Sequence, residues 1–134
     1  MKIYVAARFK GLENKSEIEG LCSVVRSAGA DDFCFIRDVE NYQKKFEDMQ
    51  QLWVVAKNEL EKCSALLIDV SDSPSGGRVA EVGIAYGIGI PIIVVVKKGL
   101  SYKGLFDGVS AVVIEYEEMD DIVLPLKDFI QASA

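Results

Sequence analysis

Glu81 stands between Ala80 and Val82 in the segment SDSPSGGRVAEVGIAYG, residues 71–87. That segment opens as a loop of small polar residues and closes as an apolar, helix-like run. A carboxylate kept there has two uses. Ionised and partly withdrawn from water, it can attack an electrophilic carbon such as the anomeric carbon of a glycoside. It can also simply complement a helix dipole, for ~0.3–1 kcal/mol. The sequence has no histidine, which removes Ser-His and Cys-His nucleophilic catalysis and the usual zinc sites. Carboxylates are therefore the leading candidates for acid, base and nucleophile.

The loop before Glu81 holds Ser75, Gly76 and Gly77. The two glycines let backbone approach a ligand and leave amide groups exposed. They lie just before a helix N-terminus, where free N–H groups and the dipole favour an anion. The GxxxxGK[ST] spacing of a P-loop is missing, and a turn followed by a helix cap accounts for the same residues. A helix from about Arg78 to Gly87 puts Glu81 in its first turn, where the positive end would keep it ionised. Gly83, Gly87 and Gly89 each cost ~1 kcal/mol inside a helix, so they imply close packing against the sheet or against a second subunit.

These residues need a frame. KIYVAA (2–7), FCFI (33–36), ALLIDV (65–70), IPIIVVV (90–96) and AVVIEY (111–116) read as strands. Ile18, Leu21, Cys22 and Val25 recur at helical spacing in 16–29, with Ser16 and Gly29 as caps. Phe46, Met49, Trp53, Ala56, Leu60 and Cys63 share one face of an amphipathic helix over 46–63. A helix over 121–131 closes the chain, with Pro125 early in it. Strand and helix alternate, which gives an α/β domain, one parallel sheet wrapped by helices on both faces. In such sheets ligands bind beyond the carboxyl ends of the strands, and the 71–77 loop leaves that edge.

The chain has 134 residues, half of them hydrophobic, enough for the core of a single domain over 1–134. Fifteen basic against 21 acidic residues give a net charge of −6, which argues against a nucleic-acid polymer as partner. No secretory signal is recognisable, and the longest apolar run falls well short of the about 18 residues of a membrane span. Cys22, Cys34 and Cys63 form no CxxC pair and are expected as reduced, buried thiols of a cytoplasmic protein.

The stretch ALLIDVSDSPSGGRVAEVGIAYGIGIPIIVV resembles the nucleoside 2-deoxyribosyltransferase superfamily, which includes the 2′-deoxynucleoside 5′-monophosphate N-glycosidases. Glu81-Val82-Gly83-Ile84-Ala85 and Gly89-Ile90-Pro91 fill the pattern E-L-G-x-A followed by G-x-P. The resemblance implies a five-stranded, Rossmann-like (flavodoxin-like) three-layer sandwich and a homodimer or larger oligomer. It implies Glu81 as nucleophile toward a nucleotide or nucleoside substrate, without metal or redox cofactor. IYVAARFKG is similar to the first strand and substrate loop, with Arg8, Phe9 and Lys10 at its tip. Ser75, six residues before Glu81, matches the serine that binds the 5′-phosphate in the nucleotide-cleaving branch; transferases of free nucleosides carry aspartate there. The acid/base aspartate of the family aligns with Lys57; either the nearby Glu59 substitutes for it or the acid is lost, with Asp69 and Asp72 as further candidates. Ser101 and Lys103, with Lys97 and Lys98, could meet a phosphate or form a solvated basic loop. An N-glycosidase of nucleoside 5′-monophosphates is the first expectation. A deoxyribosyltransferase and a nucleotide-binding module without activity are the alternatives.

Overall fold

β3 (Ala65–Asp69) is buried at every position, as the central strand of a parallel sheet must be. It pairs with β1 (Lys2–Ala6) on one side and β4 (Ile92–Lys97) on the other. β2 (Asp31–Phe33) flanks β1, and β5 (Ser110–Tyr116) flanks β4. The five strands run parallel in the order β2-β1-β3-β4-β5, the flavodoxin-like order. The computed structural model describes residues 1–72, 75–100 and 105–133.

Alternation along each strand sorts the core into two faces. Ile3, Val5, Leu67, Ile93 and Val95 pack under α1 (Lys15–Ser27) and α5 (Val123–Ala132). Tyr4, Ala6, Leu66, Ile68 and Val94 pack under α3 (Met49–Glu61) and α4 (Gly76–Gly87). Strand order reverses between β1 and β3, so the crevice of the switch point opens between their carboxyl ends. The three-layer α/β expectation is met. Among the described residues no helix is long and apolar enough to cross a membrane. Cys22, Cys34 and Cys63 are free and buried, as expected.

Three local expectations need correction. FCFI is not a strand: β2 ends at Phe33, and Phe35–Asp38 forms the short helix α2. The Asp38 carboxylate accepts the Cys34 N–H at 2.9 Å and so turns the chain after β2. Phe35 and Ile36 are buried all the same, which is why the apolar run imitated a strand. α4 begins at Gly76 rather than Arg78, with the Ser75 hydroxyl accepting the Arg78 N–H at 3.4 Å, so Glu81 sits in the second turn. Gly83 and Gly87 do not pack against the sheet, because a Cβ at either would meet nothing within 4 Å.

Candidate functional site

Glu81 lies on the face of α4 turned to the sheet and is only 8% exposed. Beneath it, the alternation of β1 sends Tyr4 to the same side, and the Tyr4 hydroxyl donates a hydrogen bond to Glu81 Oε2. Burial pushes the Glu81 carboxyl up to about 8, further than the Tyr4 hydrogen bond and the charge of Arg78 pull it down. Glu40 adds a smaller upward push. The helix dipole does not hold Glu81 ionised, contrary to expectation: at the second turn the dipole has faded, and loss of water dominates. Burial and Glu81 together hold the Tyr4 phenol far above its usual range, so Tyr4 is a donor throughout the physiological range.

Glu81 looks into a cavity of about 370 Å³ beyond the ends of β1 and β3, within the range of small-molecule pockets. Phe35 and Ile36 line one side, and Met49, Leu52, Trp53 and Ala56 of α3 another. Arg8 and Phe9, from the loop after β1, stand at the mouth and are exposed. Ser75 and Gly77 line the end nearest the α4 N-terminus. The Ser75 oxygen already accepts from the Arg78 N–H, which leaves its hydroxyl hydrogen free to donate to an anion. Gly76 opens that first turn without itself lining the cavity; a Cβ on Gly76 or Gly77 would meet nothing within 4 Å.

Glu59 does not line the cavity. Contact along α3 ends at Ala56, and Glu59 lies about 4.5 Å further along the axis, toward the opposite edge of the sheet. There it pairs with Lys62 at 3.3 Å. Lys57, at the position matching the absent aspartate, pairs with Glu61 at 3.8 Å. Asp69 is 6% exposed, and its carboxylate is engaged by the Ser71 N–H at 2.9 Å, the Ser71 hydroxyl at 2.6 Å and the Tyr116 hydroxyl. Asp72 pairs with Arg78 at 3.3 Å and with Lys10 at 3.9 Å. Those residues line a separate recess of about 20 Å³ with Arg8, so Lys10 lines that recess and not the cavity. Lys98 pairs with Glu117 at 3.2 Å. Ser101 and Lys103 lie outside the described residues.

Sequence reasoning missed Tyr4, Arg78 and Glu40. A tyrosine inside an otherwise apolar buried strand is a signal, because its hydroxyl needs a partner there. Arg78 is 5% exposed, and its guanidinium donates to the Asp69 carbonyl at 2.9 Å, tying the start of α4 to the end of β3. Glu40 enters the cavity from the turn after α2, and nothing in its sequence neighbourhood marks it.

Solved structures share this architecture. The CMP N-glycosidase BcmB of Clostridium botulinum superposes with a TM-score of 0.69 at 22% identity, over 96% of this chain and 99% of that one. The chain shares the fold of that glycosidase. A 2-deoxyribosyltransferase from Bacillus psychrosaccharolyticus matches with a TM-score of 0.70 at 20% identity, over 92% of this chain and 91% of that one. BlsM matches with a TM-score of 0.66 at 19% identity, over 97% of this chain and 93% of that one. No family model and no curated protein matches the sequence. Identities this low carry the fold, and the chemistry must come from the cavity itself.

Proposed function

We propose that the protein is an N-glycosidase of nucleoside 5′-monophosphates, with Glu81 as the nucleophile. The observation that carries this reading is the Glu81 carboxyl, buried against a largely apolar, aromatic cavity and held by Tyr4. An aromatic slot suits a flat base, and Ser75 with the α4 N-terminus suits a phosphate. Gly76, Gly77 and Arg8 would complete the anion site, and Phe9 would cover the base.

In the first step a Glu81 oxygen bonds to C1′ as the C1′–N bond breaks. The electron pair leaves with the base, which takes up a proton. Water then attacks C1′, releases sugar 5-phosphate and returns the Glu81 carboxylate, its own proton passing to the medium. Tyr4 orients the attacking oxygen and lowers the cost of ionising it. Since burial pushes the Glu81 carboxyl up to about 8, kcat/KM is expected to rise with pH and level off above that value. Glu59, paired with Lys62 and outside the cavity lining, is given no role in this scheme.

A second copy of the chain is the proposed partner. α3 and α4 leave Val54, Val79, Tyr86 and Ile88 exposed on one side of the sandwich, beside a groove lined by Trp53, Val54 and Ile84.

The deciding experiment incubates the protein with nucleosides and their 5′-monophosphates and follows free base by chromatography. Release from monophosphates alone, without transfer to an added second base, is the expected result. Transfer to the added base would make the protein a transferase, and no release from any member of the panel would end the reading.

A further inference from the structure

We infer that Glu40 selects the base, its carboxylate accepting a hydrogen bond from an exocyclic amino group, so that amino-bearing bases are preferred over their oxo counterparts. This rests on the nucleotide-cleaving reading above. The side chains that α3 contributes to the cavity, Met49, Leu52, Trp53 and Ala56, carry no acceptor for a base edge. Among the described residues lining the cavity, the carboxylates are Glu81 and Glu40.

Glu40 is held in place at a cost. The two residues after it, Asn41 and Tyr42, have φ of 50° and 57°, a left-handed conformation that non-glycine residues adopt rarely and that gathers at functional sites. Packing enforces it. Tyr42 is buried, its hydroxyl donates to Glu19 at 2.5 Å, and the Lys15 ammonium lies 4.9 Å above its ring. The Glu40 N–H donates to the Phe35 carbonyl at 3.1 Å and the Tyr42 N–H to the Ile36 carbonyl at 2.8 Å. These bonds fix the turn to α2, whose Phe35 and Ile36 line the cavity with Glu40.

The chemistry of the group then decides what it reads. A carboxylate only accepts, so it attracts an N–H edge and repels a carbonyl oxygen. The 4-amino and 4-oxo pyrimidines differ in that respect, as do the 6-amino and 6-oxo purines. Glu40 is also the better acceptor of the two acids. Burial keeps the proton on Glu81, and the charge on Glu40 favours this arrangement. Burial pushes the Glu40 carboxyl above its ordinary range, and the Lys45 backbone N–H offsets part of that.

The test uses the Glu81→Gln protein, which binds without turnover. Cytidine, uridine, adenosine and inosine 5′-monophosphates are titrated by calorimetry. Cytidine and adenosine nucleotides are expected to bind about 10- to 100-fold tighter than their oxo partners. Adding Glu40→Gln should collapse both ratios toward one, since an amide both donates and accepts. Adding Glu40→Ala should weaken the amino members and leave the oxo members nearly unchanged. Ratios that survive either change, or equal weakening of all four nucleotides, would overturn the role of Glu40. Absence of binding by every monophosphate to the Glu81→Gln protein would instead overturn the nucleotide reading, and this inference with it.

Discussion

Glu81, in the second turn of α4, and Asp69, at the end of β3, are both almost withdrawn from solvent, yet they do opposite jobs. Asp69 is saturated: Ser71 and Tyr116 supply three hydrogen bonds, and the carboxylate locks the end of β3 to β5. Glu81 accepts from Tyr4 and otherwise faces an apolar cavity. The contrast shows that burial alone does not mark a reactive acid. Unused hydrogen-bonding capacity turned toward empty space does.

The most severe way to break the comparison is to remove each carboxylate charge in turn. Glu81→Gln should lower turnover by at least about 10⁴-fold, as loss of a nucleophile does, while thermal unfolding shows an intact fold. Near wild-type turnover would refute covalent attack by Glu81. Asp69→Asn should do the reverse. It places amide hydrogens against donors that need an acceptor, costing about 1–3 kcal/mol of stability, measurable by urea unfolding.

A finer test uses the proton. Folding raises the Glu81 pKa from 4.5 to about 8, so the folded state binds the proton more tightly than the unfolded chain. Stability from this group is therefore greatest below 4.5 and falls as pH rises toward 8. Unfolding curves across that window should show this decline in the wild type and lack it in Glu81→Gln. Tyr4→Phe removes the hydrogen bond that pulls Glu81 down, so the rise of kcat/KM should move to more alkaline pH, with activity lost at neutral pH and regained in alkaline buffer. An unmoved profile would detach Tyr4 from the titration.

The smallest expected effect concerns the exposed side of α4. Gly83→Ala adds a methyl to open space within the chain and should stabilise an isolated subunit by up to about 1 kcal/mol. If α4 packs against a second copy there, the same change should weaken the dimer, seen as a lower mass by light scattering.

Much of this was written locally. Apolar strand residues fill both faces of the sheet because side chains alternate along a strand, and Ser75 caps the helix that carries Glu81 because helical spacing is a property of neighbouring residues. The 65–70 and 90–96 strands could be read for the same reason. FCFI could not, because its turn depends on Asp38 reaching back to Cys34, and burial alone does not tell a strand from a single helical turn.

What the sequence determined by itself was therefore the α/β sandwich, the edge at which a ligand would bind and the carboxylate that stands there. The tertiary structure alone decided the company that carboxylate keeps. Tyr4 reaches Glu81 from 77 residues away, Glu40 arrives on a strained turn, and Glu59 stays near the other end of its helix. The ionisation of Glu81 followed from the same assembly. A pKa depends on every element that excludes water or brings charge near the group, and no local pattern records where those elements meet.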